Sequence, residues 1–318
     1  MIPNSAIKRM TDSGKRTNGQ FFTTANPFDC HPFLAWSRRA GLPQETILEP
    51  FAGENSIIRH LKSIGKARKW VSFDIDPKAD GVVRRDTIAS FPTGYNVCIT
   101  NPPWLAKNSA TFRGLQFPDT QFDDLYKLAL TRCLDHCGYV AALIPESFIR
   151  ANLYQERLHS FVSLTKSMFT DTRHPVGLAL FDPQPVKDVI IYSGEFRVGT
   201  LAEIQKKRPP STSAPEIRFN EPDGNLGLIA LDNTKEASIR FCNVSELKDY
   251  RVSDKCRHIT KLFVPWKVSI DACNVVISAF REATKDVLLT CYRGIRKDGM
   301  YRRRLDWDIA RDIICYVR

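Results

Sequence analysis

The sequence predicts an α/β fold built on a mostly parallel β-sheet that helices cover on both faces. Short apolar runs alternate with amphipathic helical segments through roughly the first two-thirds of the 318 residues. The runs are apolar throughout rather than alternately polar, which is typical of strands buried on both faces. Three of these runs end on polar, glycine or proline residues, at the edge where open α/β sheets bind ligands.

The first three strands can be predicted together with the segments that follow them. The segment 46–65, TILEPFAGENSIIRHLKSIG, indicates a short strand, a glycine-bearing turn and an amphipathic helix. The segment 69–77, KWVSFDIDP, indicates a strand that ends in two acids and a proline. The third strand, within YNVCITNPPW at 95–104, stops at an Asn-Pro-Pro-Trp tetrapeptide.

The alternation continues to about residue 195. We predict helices at 122–137 and 152–164, with a continuous apolar strand at 138–148 between them. Two more strands follow, at 176–183 and 188–196. Because their link is too short for a crossover helix, we expect them to form an antiparallel hairpin at the edge of the sheet.

A change in composition near Phe196 predicts two domains, residues 1–195 and 196–318. A loop-like segment, KKRPPSTSAP at 206–215, is followed by short β-like runs and a helical stretch at 269–285. An Asp-Gly turn at 298–299 predicts a basic hairpin or loop that leads into a final strand or helix. The second domain is therefore expected to be α+β.

Composition and charge narrow the classes of function. The formal net charge is +11, and residues 251–318 contribute +7 of it with fifteen Lys and Arg against eight Asp and Glu. Such an excess favours a polyanionic partner, with nucleic acid first. No apolar run reaches the roughly 18 residues that a membrane span needs. Nine cysteines without metal-ligand spacing and an N-terminus without an apolar signal core predict reduced thiols in a cytoplasm, with no metal site.

The first two strand ends carry the pattern of a nucleoside site. Gly53 lets a ligand approach the backbone closely, and Asp74 stands 21 positions later, where a carboxylate can accept hydrogen bonds from both ribose hydroxyls. The chain has no GxGxxG phosphate cradle at this turn. The ligand is therefore expected to be a nucleoside without phosphates.

The tetrapeptide Asn101-Pro102-Pro103-Trp104 points to chemistry on an amino group. The Asn101 side chain and the Pro102 backbone each offer a carbonyl acceptor, and the prolines make the backbone rigid. Two such acceptors can hold both hydrogens of an –NH2 group and support the positive charge that grows on its nitrogen during attack. Trp104 offers a flat surface for a base.

Six segments in this order resemble the successive motifs of amino methyltransferases that use S-adenosylmethionine. They are GQFFT, ILEPFAG, FDIDP, RRDTI, TNPPW and AALIPESFI, within residues 19–149. They most resemble the gamma-class DNA adenine-N6 methyltransferases of restriction–modification systems. The resemblance spans about 19–195. It implies a Rossmann-like class I methyltransferase domain with a seven-stranded sheet, followed by a C-terminal target-recognition domain.

The resemblance also implies roles for individual residues. Thr23 and Glu49 would contact the methionine part of the cofactor, Asp74 the ribose, and Asp86 with the Thr87 backbone the adenine amine. Phe51, Ala52, Gly53 and Ile75 would complete the cofactor site, to which Asn101 also belongs. Asn101, Pro102, Pro103 and Trp104 would form the catalytic group, and a second aromatic beside the base would be Phe148, Phe169 or His174. One departure is that Glu54-Asn55 stands where the family often has a second glycine.

The implied reaction is direct methyl transfer to the N6 amine of an adenine flipped out of duplex DNA, leaving S-adenosylhomocysteine. Residues expected to contact DNA are Lys107, Phe148, His174, Arg293, Arg296, Lys297, Arg302, Arg303 and Arg304. The polar segment 105–124 is expected to be a mobile loop that orders on DNA. The resemblance further suggests a cognate restriction endonuclease as partner and a nucleoid-associated protein of a bacterium or phage.

Three alternatives stay open. The first is another nucleic-acid amino methyltransferase, acting on RNA adenine or guanine or on cytosine-N4 in DNA. The second methylates a protein glutamine, whose –NH2 suits the same acceptors. The third is an inactive DNA-binding protein that keeps the fold. No motif of the chain predicts the recognition sequence or the oligomeric state.

Overall fold

The structure, a computed structural model, describes residues 26–164 and 174–318 except 212, 215, 249, 251, 253 and 254. Thr23, the GQFFT segment and Phe169 lie outside the described residues. The chain divides into two compact units, one ending at Glu195 and the other beginning at Phe196. Within the described residues, no helix is both long and apolar enough to cross a bilayer.

The first unit alternates helices and strands. Its helices are α1 (His31–Arg39), α2 (Ser56–Ser63), α3 (Lys107–Phe112) and α4 (Leu125–His136), with a 3₁₀ turn at Glu146–Arg150. Its strands are β1 (Thr46–Glu49), β2 (Lys69–Asp74), β3 (Val82–Arg84), β4 (Val97–Thr100), β5 (Tyr139–Pro145), β6 (Leu158–Ser163), β7 (Val176–Phe181) and β8 (Ile190–Ser193). The predicted strand–turn–helix at 46–65 is confirmed by β1 and α2.

These eight strands lie side by side in the order β3-β2-β1-β4-β5-β7-β6-β8. The neighbouring pairs are parallel except those of β7, which runs antiparallel to both β5 and β6. The prediction of an α/β fold with a mostly parallel sheet is therefore confirmed. The prediction of seven strands is wrong for this unit, since β8 adds an eighth beside β6.

Two predicted elements differ in the structure. The sequence predicts a helix at 152–164, yet 158–163 form β6, because Phe161, Val162 and Ser163 are buried on successive positions and a short apolar run fits either element. The expected β7–β8 hairpin is also wrong. All six residues of β7 are buried, so the strand needs a neighbour on each side, and it inserts between β5 and β6.

The packing of β7 on β6 depends on a glycine. A Cβ added to Gly177 would lie 2.1 Å from Cζ of Phe161. The Phe161 ring therefore occupies the space that the side chain of any other residue at position 177 would need. In such a close-packed interior, adding even one methyl group disturbs the packing.

The order of the strands fixes where a ligand can bind. From β1 the chain moves outward to β2 and β3, and it then returns to the other side of β1 to form β4. The point where the order reverses lies between β1 and β4, and open α/β sheets bind ligands outside the carboxyl ends of the strands at such a switch point. Glu49 ends β1 and Thr100 ends β4, so both flank this position.

The second unit is α+β. Its strands are β9 (Phe196–Thr200), β10 (Arg218–Phe219), β11 (Leu226–Ile229), β12 (Arg240–Cys242), β13 (Ile259–Phe263), β14 (Thr290–Ile295) and β15 (Tyr301–Arg304). Its helices are α5 (Leu201–Gln205), α6 (Ile270–Thr284) and α7 (Trp307–Tyr316), with a 3₁₀ turn at Val244–Leu247. Strands β10-β13-β11-β12 form an antiparallel sheet, and β14 pairs with β15. Of the alternatives predicted for the C-terminal segment, hairpin or loop and then strand or helix, the structure has the hairpin and the helix.

Candidate functional site

The end of β1 holds a buried carboxyl group beside the end of β4. Glu49 is fully buried, and the Thr100 hydroxyl donates to its Oε1 at 2.7 Å. Burial raises the pKa of the Glu49 carboxyl to about 8, against the opposing hydrogen bonds from the Thr100 hydroxyl and the Phe51 backbone amide. Within the residues that the structure describes, its Oε2 accepts no hydrogen bond. The contact between Glu49 and Thr100 ties β1 to the strand that carries the tetrapeptide.

The turn after β1 is shaped by two residues in left-handed conformation. Gly53 has φ +51° and Asn55 has φ +58°. Asn55 stands where the resembling family often has its second glycine, and asparagine is among the few residues that tolerate this region. The Ser72 hydroxyl donates to Asn55 Oδ1 at 2.9 Å and fixes the side chain on β2. Asn55 therefore takes a conformation that glycine adopts most readily, and its side chain is held in place by Ser72.

Asp74, at the end of β2, is bound to this turn. Its Oδ2 accepts the Gly53 backbone N–H at 2.7 Å, and its Oδ1 accepts the Asp76 N–H at 2.8 Å. The Asp74 carboxylate is buried, and these two hydrogen bonds hold the glycine turn at the same edge of the sheet as Glu49. The next residue, Ile75, is 57% exposed, and it offers an apolar surface beside the turn.

The segment after β3 returns to the same edge. The Thr87 hydroxyl is buried and donates to the Pro50 carbonyl at 2.7 Å. Asp86 is exposed, and its Oδ1 accepts the backbone N–H groups of Ile88 and Ala89 at 3.0 and 3.1 Å. The structure thus brings Thr87 against the residue that follows Glu49, while Asp86 also serves as the cap of its own turn.

The tetrapeptide follows β4, whose four residues are all buried. Pro102 is buried, whereas Asn101, Pro103 and Trp104 are half-buried, and Trp104 packs against the main core cluster of the unit. Three of the four side chains at this strand end are therefore partly accessible to a ligand. Contacts join this strand end to Glu49 through Thr100, and the β1 turn to Asp74 and Thr87.

The segment 105–124 is anchored at its base and contains α3. The Leu125 N–H donates to the Leu105 carbonyl at 3.0 Å, and the Lys107 N–H to the Asp123 carbonyl at 2.8 Å. Asp124 caps α4 and also accepts the Leu105 N–H at 3.1 Å. Lys107 is exposed at the start of α3. The segment is therefore built as a loop with joined ends; its ordering on DNA stays a prediction.

Phe148 does not serve as a second stacking aromatic. It is 1% exposed and makes edge-to-face contacts with Tyr126 and Phe181, at centroid distances of 6.3 and 6.2 Å. The prediction that it contacts DNA is wrong, because the 3₁₀ turn after β5 directs the ring into the core. His174, the other described candidate, is exposed.

The basic residues of the second unit divide into outward and inward groups. Arg293 and Lys297 are exposed on the β14–β15 hairpin. Arg302 lies over the Tyr292 ring at 5.2 Å, and Arg304 pairs with Asp306 at 3.2 Å.

The structure contradicts the prediction that Arg296 and Arg303 contact DNA. They are 8% and 4% exposed. Arg296 Nη1 binds Asp232 Oδ2 at 2.9 Å, and the Arg303 guanidinium donates to Cys291 Sγ at 3.0 Å. For Arg303 the cause is strand alternation, since successive residues of β15 face opposite sides and Tyr301 and Arg303 share the buried one. Arg296 lies in the turn of the hairpin, where its ion pairs with Asp232 and Asp298 hold it inward.

Asp232 is the centre of this inward group and is not marked by any motif. It is fully buried, and Arg281 reaches both of its oxygens at 2.9 Å. Burial alone would raise the pKa of its carboxyl, but Arg281 and Arg296 hold that pKa below its ordinary value. The only signal in the sequence is an acid that ends the apolar run GLIALD.

Thr100 is the site residue that sequence reasoning missed in the first unit. The sequence marks it only as the last residue of an apolar strand, yet its hydroxyl is the link between Glu49 and the tetrapeptide. A polar residue that ends a wholly buried strand beside Asn101 was the available signal.

No protein-family model matches the chain, and no curated protein matches its sequence. Solved structures with some similarity include a type I restriction–modification methyltransferase subunit from Streptococcus thermophilus, at 14% identity and TM-score 0.36 over 58% of this chain and 51% of that one. The M protein of the type I restriction enzyme EcoKI is 13% identical, with TM-score 0.37 over 88% of this chain and 74% of that one. The type IIG restriction endonuclease BpuSI is 14% identical, with TM-score 0.40 over 58% and 28%.

The chain thus spans about half the length of the Streptococcus protein. At these identities and TM-scores, the similarity assigns neither a family nor an activity to the chain.

Proposed function

We propose that the chain is an S-adenosylmethionine-dependent DNA methyltransferase that acts on the N6 amine of adenine. One observation carries the proposal: the Asn101-Pro102-Pro103-Trp104 tetrapeptide and the Glu49–Gly53 turn end neighbouring strands on either side of the topological switch point. An amine acceptor group and a nucleoside-type turn therefore share one edge of the sheet, which is what transfer between two bound molecules requires.

The residues of the turn fit the proposed cofactor. Glu49 Oε2 is a buried acceptor with no hydrogen bond among the described residues, and it suits the ammonium of a methionine moiety. Ile75 exposes an apolar surface next to Asp74, and it suits the face of a purine. When bound, S-adenosylmethionine would supply an activated methyl group. Phe51, Ala52, Gly53, Asp86 and Thr87 would form the rest of the site, as would Thr23, which lies outside the described residues.

The tetrapeptide would hold the target amine. The Asn101 side-chain carbonyl and the Pro102 backbone carbonyl would accept its two hydrogens. These two acceptors would orient the amine and stabilise the positive charge that develops on its nitrogen during attack. Trp104 would stack on the target base, a contact worth about 1–3 kcal/mol per base. Pro103 would contribute stiffness.

The choice of DNA as substrate depends on charge and on the motif resemblance. Lys107 on the loop and Arg293 and Lys297 on the hairpin are exposed cations that suit phosphate contacts. Since the N6 amine lies inside a stacked duplex, the base would have to be flipped out at a cost of a few kcal/mol. Partners proposed on the same basis are double-stranded DNA and a cognate restriction endonuclease.

A transfer assay tests the proposal against its alternatives. Purified protein is incubated with methyl-labelled cofactor and with duplex DNA, RNA or protein extract, and the labelled product is hydrolysed and identified. We expect N6-methyldeoxyadenosine from duplex DNA. Label in RNA, in N4-methylcytosine or in protein glutamine would select another amino methyltransferase. Cofactor binding without any transfer would select the inactive DNA-binding protein.

A further inference from the structure

The loop that follows the tetrapeptide exposes one aromatic side chain almost completely. Phe112, at the end of α3, is 93% exposed. Of the other large apolar residues of the same loop, Leu105 is buried, and Leu115, Phe117 and Phe122 are half-buried. An isolated exposed apolar residue is ordinary on a protein surface, so exposure alone assigns no role. Phe112 differs from such isolated residues in its position in the loop and in the fixed conformation of the helix end that carries it.

Phe112 is presented by a properly terminated helix. The Gly114 N–H donates to the Thr111 carbonyl at 3.1 Å, and the Leu115 N–H donates to the Ala110 carbonyl at 2.9 Å. With Gly114 at φ +65°, these two bonds form a Schellman motif. The last turn of α3 is therefore held in a defined conformation, which fixes the base of the Phe112 side chain.

The opposite side of α3 is anchored in the unit. Ala110 is fully buried, and Phe112 follows it by two residues, about 200° around a helix that turns 3.6 residues per turn. The burial of Ala110 thus directs Phe112 away from the body of the unit. Residues 105–111 connect Phe112 to Trp104. Backbone hydrogen bonds of Leu105 with Leu125 and of Lys107 with Asp123 hold the start of this segment in place.

The residues next to Phe112 along the chain include two cations. The segment 107–115, KNSATFRGL, contains Lys107 and Arg113 and no acidic residue, and both cations are exposed. An apolar side chain between exposed cations suits a partner that offers stacked bases between phosphates. Such a side chain can enter a base step and fill the space that an extruded base leaves.

We propose that Phe112 is a wedge residue, which enters the duplex beside the target base and holds the base in its flipped position. The inference depends on the proposed function, because it requires duplex DNA as substrate. Phe112 would be a positioning residue: it would touch the neighbouring bases and would contact neither the reacting amine nor the cofactor.

The test compares the variant F112A with wild type on two duplexes. Target sites are first mapped by sequencing DNA that the wild-type protein has methylated. One duplex then carries the target adenine paired with thymine, and the other carries it mispaired, which lowers the cost of flipping. F196A, which removes another exposed phenylalanine, is the matched control.

We expect F112A to lower kcat/KM by about 10-fold or more on the paired duplex, and by under about 3-fold on the mispaired one, as a wedge that offsets unstacking should. Cofactor affinity should not change. In a paired duplex with 2-aminopurine at the target position, F112A should also reduce the rise in fluorescence that wild type causes.

An equal loss on both duplexes, or no loss on either, would overturn the wedge assignment. The failure of the underlying function is separate and visible in the same experiment, because wild type itself would then transfer no methyl group to either duplex. Folding is checked by thermal denaturation, where F112A and F196A should match wild type since both side chains are exposed.

Discussion

The end of β1 in the first unit and the β14–β15 hairpin of the second unit are both rich in residues that the sequence marks as functional, and they differ in how the fold uses them. At the β1 edge, three hydrogen bonds tie residues 49–53 to neighbouring segments, and they join Glu49 to Thr100, Pro50 to Thr87 and Gly53 to Asp74. In the hairpin, two of the five marked arginines face inward. Parallel strands place all their carboxyl ends at one edge, whereas a hairpin sends successive side chains to opposite faces.

The largest expected effect tests whether the inward arginines are structural. Asp232→Ala would leave Arg281 and Arg296 without their buried counter-charge, and it should lower the free energy of unfolding by about 3–5 kcal/mol. Urea denaturation measures it. Asp223→Ala, at an exposed position of the same unit, should stay within about 0.5 kcal/mol of wild type. A small loss in Asp232→Ala would mean that the network contributes little and that the arginines are available for another role.

The pH dependence of cofactor binding tests the β1 edge. The raised pKa of Glu49, about 8, means that the carboxyl is mostly protonated in the ligand-free protein at pH 6. An ammonium group favours the carboxylate, so binding would release a proton and affinity would rise with pH, by up to about 10-fold per unit. The cofactor's own α-amino group is half deprotonated near pH 7.7, so the rise should be steepest near pH 6 and flatten towards pH 7.5.

Calorimetry between pH 6 and about pH 7.5 provides the measurement, and Glu49→Gln is the control. The glutamine variant has no carboxyl to titrate, so its affinity should be lower and nearly independent of pH. If wild-type affinity were flat over this range, Glu49 would not be the residue that holds the ammonium.

A smaller effect separates the two groups of cations in the hairpin. Replacing Arg293 and Lys297 together by alanine should reduce the salt slope of DNA binding by about 2, because each cation that neutralises a phosphate adds close to one unit to that slope. Stability should not change, because both side chains are exposed. Arg296→Ala should leave the salt slope unchanged and lower the free energy of unfolding, because Asp232 would lose a partner. Fluorescence anisotropy across salt concentrations measures the slope, and an unchanged slope in the double variant would place the DNA elsewhere.

Much of the β1 edge could be predicted from sequence for a physical reason. Strand, turn and helix at 46–65 follow from local periodicity and a glycine, and the parallel arrangement then brings the strand ends together without further information. The left-handed position of Asn55 and the Glu49–Thr100 hydrogen bond could not be predicted, because both depend on how β2 and β4 lie against β1.

Other features depended on contacts between distant segments. The run LHSFVS at 158–163 is apolar enough for a helix or a strand, and only its two neighbours, β7 and β8, decide for the strand. Phe148 follows a strand end like the candidate site residues, but it packs against Tyr126 and Phe181 and is buried. Asp232 binds the Arg296 guanidinium and the Arg303 backbone N–H, and it lies 64 and 71 positions before them in the chain.

The central claim is that the tetrapeptide holds the target amine while the β1 edge holds the cofactor, and Asn101→Ala tests it most directly. Methyl transfer to duplex DNA and cofactor affinity are measured on the same preparation, with Asn108→Ala, an exposed asparagine eight residues from the strand end, as control. We predict a fall in kcat of about 100- to 1000-fold for Asn101→Ala, with cofactor affinity nearly unchanged. Undiminished transfer, or a collapse of cofactor binding together with transfer, would contradict the account.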